Sequence, residues 1–183
     1  MAYENRVIGK GNMIACVDVA YRDHHADAGC VVLGHWQDAT PQYTRAARID
    51  HVAPYESGSF YRRELPCLLA VLQRLPALPE IVVIDGYVWL SAQRKPGLGA
   101  HLHAALGHAC AVVGVAKTAF VGICGSPLAA SVLRGSSGKP LYVTSAGIAL
   151  GYAAQAVRSM HGAHRIPTAL RLADRLARSY CDR

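Results

Sequence analysis

The sequence predicts an α/β fold, a mixed central sheet flanked by helices, built as one domain over residues 1–183. Three observations lead there. The first fifty or so residues hold three apolar, β-branched runs joined by short polar links, the pattern of an antiparallel meander. From residue 59 the apolar positions recur at helical spacing instead. Strand-like and helix-like stretches then alternate to the end, which is how a sheet with covering helices is written in sequence.

The elements follow in order. MIACVDVAY (13–21) reads as a strand, RDHHADAG (22–29) as a polar turn, CVVLGHW (30–36) as a second strand and YTRAARIDHV (43–52) as a third. In SFYRRELPCLLAVLQRLPAL (59–78), Leu65, Leu68, Leu69 and Leu72 mark one helix face. Pro66 is assigned to its first turn, where no amide donor is needed. A strand at 81–85, a helix at 98–107 and a strand at 110–117 come next. GICGSPLAASVLRGSSGKP (122–140), rich in Gly, Ser and Pro, reads as a loop. LYVTS (141–145) is a short strand, and helices at 149–160 and 168–180 follow.

Composition narrows the function classes. Hydrophobic residues make up 52% and charged residues 17%, which excludes a disordered chain. No apolar run reaches the roughly eighteen residues that cross a bilayer, so no membrane partner is expected. MAYENRVIGKGN has acid and Asn where a signal peptide has an apolar core, so a cytoplasmic protein is expected. The six cysteines form no CxxC pair and sit mostly among aliphatic residues, as packed thiols do. Nineteen Lys and Arg against twelve acids give a net charge of +7, which suits a polyanion such as nucleic acid. The positive charge is spread out, with clusters at Arg62–Arg63, Arg94–Lys95 and Arg165 to Arg178.

Three acids stand out. Asp18 interrupts an apolar strand, Glu64 lies near the start of the first long helix, and Asp85 ends VVID just before Gly86. Taken singly they have structural explanations: an edge or bulge residue, an acid favoured by the helix dipole, and a cap. Taken together they are the oxygen ligands that a hard divalent cation wants, and carboxylate-held metals hydrolyse phosphodiesters. Spacing alone does not show that the three converge.

Five stretches, in order, give the chain a resemblance to endonuclease V. They are VDVAY (17–21), APYESGSFYRRELP (53–66), VVIDG (82–86), LGAHLHAAL with VVGVAK (98–117), and HRIPTALRLADRLA (164–177). The resemblance implies a ribonuclease H-like fold and a Mg²⁺-dependent endonuclease, Mn²⁺ being a possible substitute. Its substrate would be DNA or RNA containing inosine, cut near the deaminated base in DNA repair. It assigns Asp18, Glu64 and Asp85 as metal ligands, Lys117 to the scissile region, Pro54 and Tyr55 to a wedge beside the damaged base, and Tyr87 to the base pocket. Three departures accompany it. DGYVWL replaces the family's Gly-His-Gly or Gly-Asn-Gly after the second aspartate, SAGIAL lacks the family's catalytic His, and ESG follows Pro54–Tyr55 in place of an apolar residue and a proline. Weak inosine selectivity is therefore expected, with a binding protein of weakened or lost cleavage as the alternative. A stable α/β partner of another protein, its charge incidental, is a third reading.

Other groupings carry less. His24 and His25 with Asp23 and Asp27 read as a solvated turn, and His101 and His103 fall on different helix faces. His161 and His164 lack a thiolate pair for zinc. GSSGKP lacks the ending of a triphosphate loop, and no serine elbow occurs. Trp36, Trp89 and Tyr87 are candidates for stacking on bases. A monomer is expected.

Overall fold

The computed structural model describes residues 13–50 and 60–180. The elements run β1 (Ile14–Tyr21), β2 (Ala26–Leu33), β3 (Tyr43–Ile49), α1 (Phe60–Gln73), β4 (Ile81–Asp85), α2 (Leu98–Ala105), β5 (Ala111–Ala116), β6 (Ala130–Val132), β7 (Leu141–Ala146), α3 (Leu150–Ser159) and α4 (Thr168–Ser179). The seven strands form one mixed sheet in the order β3-β2-β1-β4-β5-β7-β6. β1, β4 and β5 are parallel at its centre, while β2, β3, β7 and β6 pair antiparallel on the flanks. The parallel strands are apolar on both faces because helices cover both. On one face α1 and α2 bring Cys67, Leu68, Leu72 and Leu102 onto Val17, Val82, Ile84 and Val112. On the other, α3 and α4 bring Ala153, Val157 and Ala173 onto Cys16, Val83, Val113 and Val143.

Three details differ from the sequence reading. β2 starts at Ala26, inside the stretch expected to be a turn. Asp27 can be buried in a strand because Arg48, its partner across the ladder, donates Nε to it at 3.0 Å. Arg22 adds charge at 3.9 Å, and the His25 ring stands 3.3 Å away. The turn proper is Arg22 to His25, closed by the Arg22 amide on the His25 carbonyl at 2.8 Å. Pro66 is the seventh residue of α1, in its second turn rather than its first, and Glu64 lies beyond the first turn. The loop expected over 122–140 contains β6, three residues that pair with β7.

The seat of α4 is close. Ala169, Ala173 and Ala177, four residues apart, form its buried stripe. They meet Gly29 of β2, where a Cβ would come within 2.6 Å of the Ala173 carbonyl oxygen. Arg134, 5% exposed, fixes the approach to α4 from the α3 side. Its guanidinium donates to the carbonyls of Arg158, Met160, His164 and Arg165 and so closes the turn between the two helices. Cys16, Cys30, Cys67, Cys110 and Cys124 are free thiols, as expected of packed cysteines.

Candidate active site

The parallel strands bring their chemistry to one edge of the sheet. Val17 of β1 pairs with Ile84 of β4, so Asp18 and Asp85 follow as neighbours. Side chains alternate along a strand, and Asp18 and Asp85 share the face of Cys16 and Val83, which is the α4 face. Asp85 pairs with Val115 of β5, and Lys117, two residues on, returns to that same face. Its ammonium donates to Oδ2 of Asp85. Because α4 lies close above, Asp174 joins them: Asp18, Asp85, Lys117, Arg171 and Asp174 line one cavity of about 170 Å³ floored by Val17, Val115 and Leu141. Glu64 comes from the opposite face on α1 and is only 6% exposed.

The electrostatics show that Glu64 nevertheless faces the same charges. Burial pushes its carboxyl up to about 8, with the Asp18 and Asp85 charges adding to the effect. Burial likewise lifts Asp18 to about 6, opposed by its hydrogen bond from the Val19 amide at 2.8 Å and helped by Asp85 and Asp174. Burial works against the Lys117 ammonium, yet the hydrogen bond and charge of Asp85 outweigh it and hold Lys117 above its ordinary value. Asp174 is paired with Arg178 one turn along at 2.7 Å. The site is thus an excess of acid whose repulsion is relieved by two cations and by protons.

Whether it suits a divalent cation is testable on the residues. Among the described residues no three of the ligating types are grouped tightly enough to hold a metal ion as they stand. Lys117 occupies the Asp85 carboxylate that a cation would need. Against this, Oε2 of Glu64 is buried without a hydrogen-bond partner, and a carboxylate oxygen in that condition calls for a cation or a proton. The donors are all hard oxygens, the type Mg²⁺ and Mn²⁺ take. The residues fit such an ion once Lys117 releases Asp85.

The structure therefore brings together Asp18, Asp85 and Lys117 in one cavity, with Glu64 coupled to them from below. Pro54 and Tyr55 lie outside the described residues. Tyr87 is committed to scaffolding: its hydroxyl donates to the Thr118 carbonyl at 2.7 Å and accepts from the Phe120 amide at 3.1 Å. It thereby ties the segment after Lys117 to the segment after Asp85. Val88 is fully buried and donates its amide to Thr144 Oγ1 at 2.8 Å. Trp36 is a core residue at 7% exposure, which removes it as a stacking platform.

Asp174 and Arg171 were missed from sequence. The available signal was that Asp174 is the sole acid between residues 160 and 180 and sits beside the apolar stripe of a strongly amphipathic helix. No reading of the strands alone could have placed it next to Asp18.

Comparison with known proteins identifies the fold and the family. The endonuclease V family model matches residues 2–175. The chain is 32% identical to endonuclease V of Streptomyces coelicolor over an alignment covering 89% of this chain and 76% of that one. The crystal structure of Streptomyces avermitilis endonuclease V superposes with a TM-score of 0.72 at 27% identity, covering 94% of this chain and 82% of that one. The Ciona intestinalis enzyme, crystallised with a 23mer DNA containing an inosine, shares the fold at a TM-score of 0.77 and 22% identity, covering 92% and 85%. The ribonuclease H-like architecture expected from the sequence is the one these structures share with the seven-stranded sheet described above. Matched by the family model over residues 2–175, and 32% identical to a member across 89% of its length, the chain belongs to the endonuclease V family.

Proposed function

We propose that this nuclease is a divalent-metal-dependent endonuclease that hydrolyses a phosphodiester of inosine-containing DNA or RNA. The observation that carries the reading is the acid excess at the sheet edge, with a buried Glu64 oxygen left unpartnered. A Mg²⁺ or Mn²⁺ ion there would supply the positive charge that acidifies water and steadies the leaving oxygen. Asp18 and Asp85, side by side on β1 and β4, would hold it, with Asp174 across the cavity and Glu64 from the α1 side. With such an ion bound, Glu64 and Asp18 would serve as ionised carboxylates, and Lys117, released from Asp85, would be placed to donate to a phosphate oxygen, to which an ammonium is suited as a point charge. Arg171 lines the cavity where the phosphodiester would lie.

Inosine is the lesion to test because the Ciona neighbour was captured on it. The pocket argues for modest selectivity. Tyr87 and Val88 fill the segment after Asp85, Val88 entirely within the core, which leaves little room for a flipped base. The same observation favours the second reading, a nucleic-acid-binding member with weakened cleavage. We place the protein in the cytoplasm and as a monomer on the sequence alone; among the described residues no helix is long and apolar enough to cross a membrane. The deciding experiment is nicking of a matched pair of oligonucleotide duplexes, one containing inosine, with and without Mg²⁺ or Mn²⁺. Metal-dependent nicking supports the nuclease reading. Salt-dependent binding without nicking supports the second, and neither result leaves the third reading, a protein-partner domain.

A further inference from the structure

We propose that a second cleft, away from the acid cavity, is a phosphate-binding site for a nucleotide or for a polynucleotide strand. It lies between the segment after β4, the end of α2 and the turn from β7 to α3, and encloses about 420 Å³. Trp89, Arg94, His103, His108, Ser145 and Gly147 shape it, and among the described residues no acid lines it. The Arg94 guanidinium carbon stands 5.5 Å from the centre of the Trp89 ring. His103 and His108 meet edge to face with ring centres 4.6 Å apart.

The backbone shows where this cleft was specified. Arg94 at φ 59° and His108 at φ 60° are the non-glycine residues with left-handed backbones among the described residues, and both line this cleft. Turn closure explains the bends. Arg94 sits in a turn closed on Ser91 at 3.0 Å, and His108 follows Gly107 at the end of α2 with its amide on the His103 carbonyl at 3.0 Å. Turn closure does not explain the residue types, since Gly or Asn takes such a backbone with less strain. Gly147, with φ 75°, is where a Cβ would press within 2.9 Å of the His103 ring, so the small residue there keeps the wall clear.

The wall donors are already used. Trp89 Nε1 donates to the Ser145 carbonyl at 3.0 Å, and the Ser145 hydroxyl donates to the Ile148 carbonyl at 3.0 Å. His103 Nδ1 donates to the Cys110 carbonyl at 2.8 Å, which fixes the ring in the wall. What remains is the Arg94 guanidinium, flanked by the His103 and His108 rings, with no acid among the described lining residues to balance it. That set matches a tetrahedral anion with several acceptor oxygens. The apolar face of Trp89 beside it accommodates the sugar or base that a nucleotide phosphate carries. The segment bearing Trp89 and Arg94 follows Asp85 in the chain, and Ser145 and Ala146 of the cleft pair with Val113 and Val112, toward the end of β5 opposite to Lys117.

The test uses the full chain, Arg94→Asn, His108→Asn and the double variant, because Asn keeps the left-handed backbone while removing the guanidinium or the imidazole. Thermal melts confirm that all of them fold. In one arm, inorganic phosphate and then adenosine 5′-monophosphate are titrated while the Trp89 indole and Gly147 amide resonances are followed. In the other, the affinity of a 20-nucleotide strand is measured against salt. Expected are phosphate-induced shifts of both resonances in the parent and their loss in the double variant. A salt slope lower by about one, with weaker strand binding, is expected if the phosphate belongs to a polynucleotide. Shifts with unchanged strand affinity assign the cleft to a free nucleotide and leave the phosphate site standing. No shift with phosphate or the mononucleotide, together with unchanged strand binding in the double variant, overturns it. Only the strand arm rests on the nuclease reading; the phosphate titration reads the cleft even if the protein never nicks.

Discussion

Asp85 ends its strand with its carboxylate held by Lys117, and both side chains keep partial contact with water. Asp85→Asn removes one member of the acid set at little cost in shape. Metal-dependent nicking should fall by at least about 100-fold, in line with the loss of a charge the transition state depends on. The metal-free protein should melt at the same temperature or slightly higher, because Asp18 and Glu64 lose a repulsive neighbour while Lys117 remains half exposed. Parallel activity assays and melting curves check both halves, and a variant that nicks at the parental rate makes Asp85 a structural residue. Glu64 and Asp18 set a second expectation. Both bind protons more tightly in the folded chain than in the unfolded one, where carboxyls titrate near pH 4. Their contribution to metal-free stability is complete below about pH 4 and is lost as the pH rises through about 6 for Asp18 and about 8 for Glu64. Millimolar Mg²⁺ should flatten that decline, since the cation takes over from the proton. Urea midpoints between pH 4 and 9, with and without Mg²⁺, read this directly; a chelated protein that stabilises with rising pH would contradict the burial of these acids.

At the scale of elements, the site depends on how close α4 sits. Gly29 pairs with Asp18 across β1 and β2 and faces the Ala173 carbonyl and the Ala177 amide of α4. Gly29→Ala would put a methyl group 2.6 Å from that carbonyl, so the helix must move outward and carry Asp174 with it. A destabilisation of roughly 1–3 kcal/mol is expected, with a larger proportional loss of metal affinity than of fold. Denaturant titrations beside a Mn²⁺ binding isotherm separate the two, and a variant losing only stability would show that Asp174 is not needed for the ion. The segment after Asp85 offers a different expectation. Tyr87→His with Val88→Gly opens space beside the acids, but Val88 is fully buried and the Tyr87 hydroxyl holds Thr118 and Phe120. The double variant should discriminate better between inosine-containing and undamaged strands. It should also lose roughly 2–4 kcal/mol through the cavity, the glycine and the two hydrogen bonds. The ratio of nicking rates on matched oligonucleotides decides it; strong inosine preference in the parent would show that the base is held by other residues.

The molecule as a whole carries +7, and its sheet edge concentrates part of that charge beside the acids. Arg171, Arg175 and Arg178 run along the outer side of α4 at spacings of four and three, next to Asp174. Such a row contacts phosphates rather than base edges, so it contributes affinity and not lesion choice. Binding of an undamaged duplex should weaken linearly in the logarithm of salt. Arg175→Gln should lower that slope by about one and leave the inosine-to-undamaged ratio alone. Fluorescence anisotropy at several salt concentrations gives both numbers, and a changed ratio would place Arg175 in base recognition instead.

The layer order, the parallel core and most element boundaries were legible in the residues, because apolar periodicity records which face of a strand or helix is covered. Asp18 and Asp85 were legible for a related reason: the one interrupts an apolar strand and the other ends one, whereas Lys117 was assigned only through the family resemblance. What the sequence could not decide was set by contacts between distant segments. The first turn of β2 looked like a loop because Asp27 is polar, and only its pairing with Arg48 on β3 makes it a strand. Tyr87 looked like a base-contacting aromatic, and only the return of the chain after β5 turns its hydroxyl into a tie between two loops. Asp174 has an ordinary partner in its own helix, Arg178, so nothing within α4 marks it as part of a site; the Ala stripe of α4 against Gly29 is what lowers that helix far enough to set it beside Asp18. Local spacing determines which faces are apolar and where charges interrupt them, whereas the distance between two such interruptions is fixed by packing, which no single segment contains.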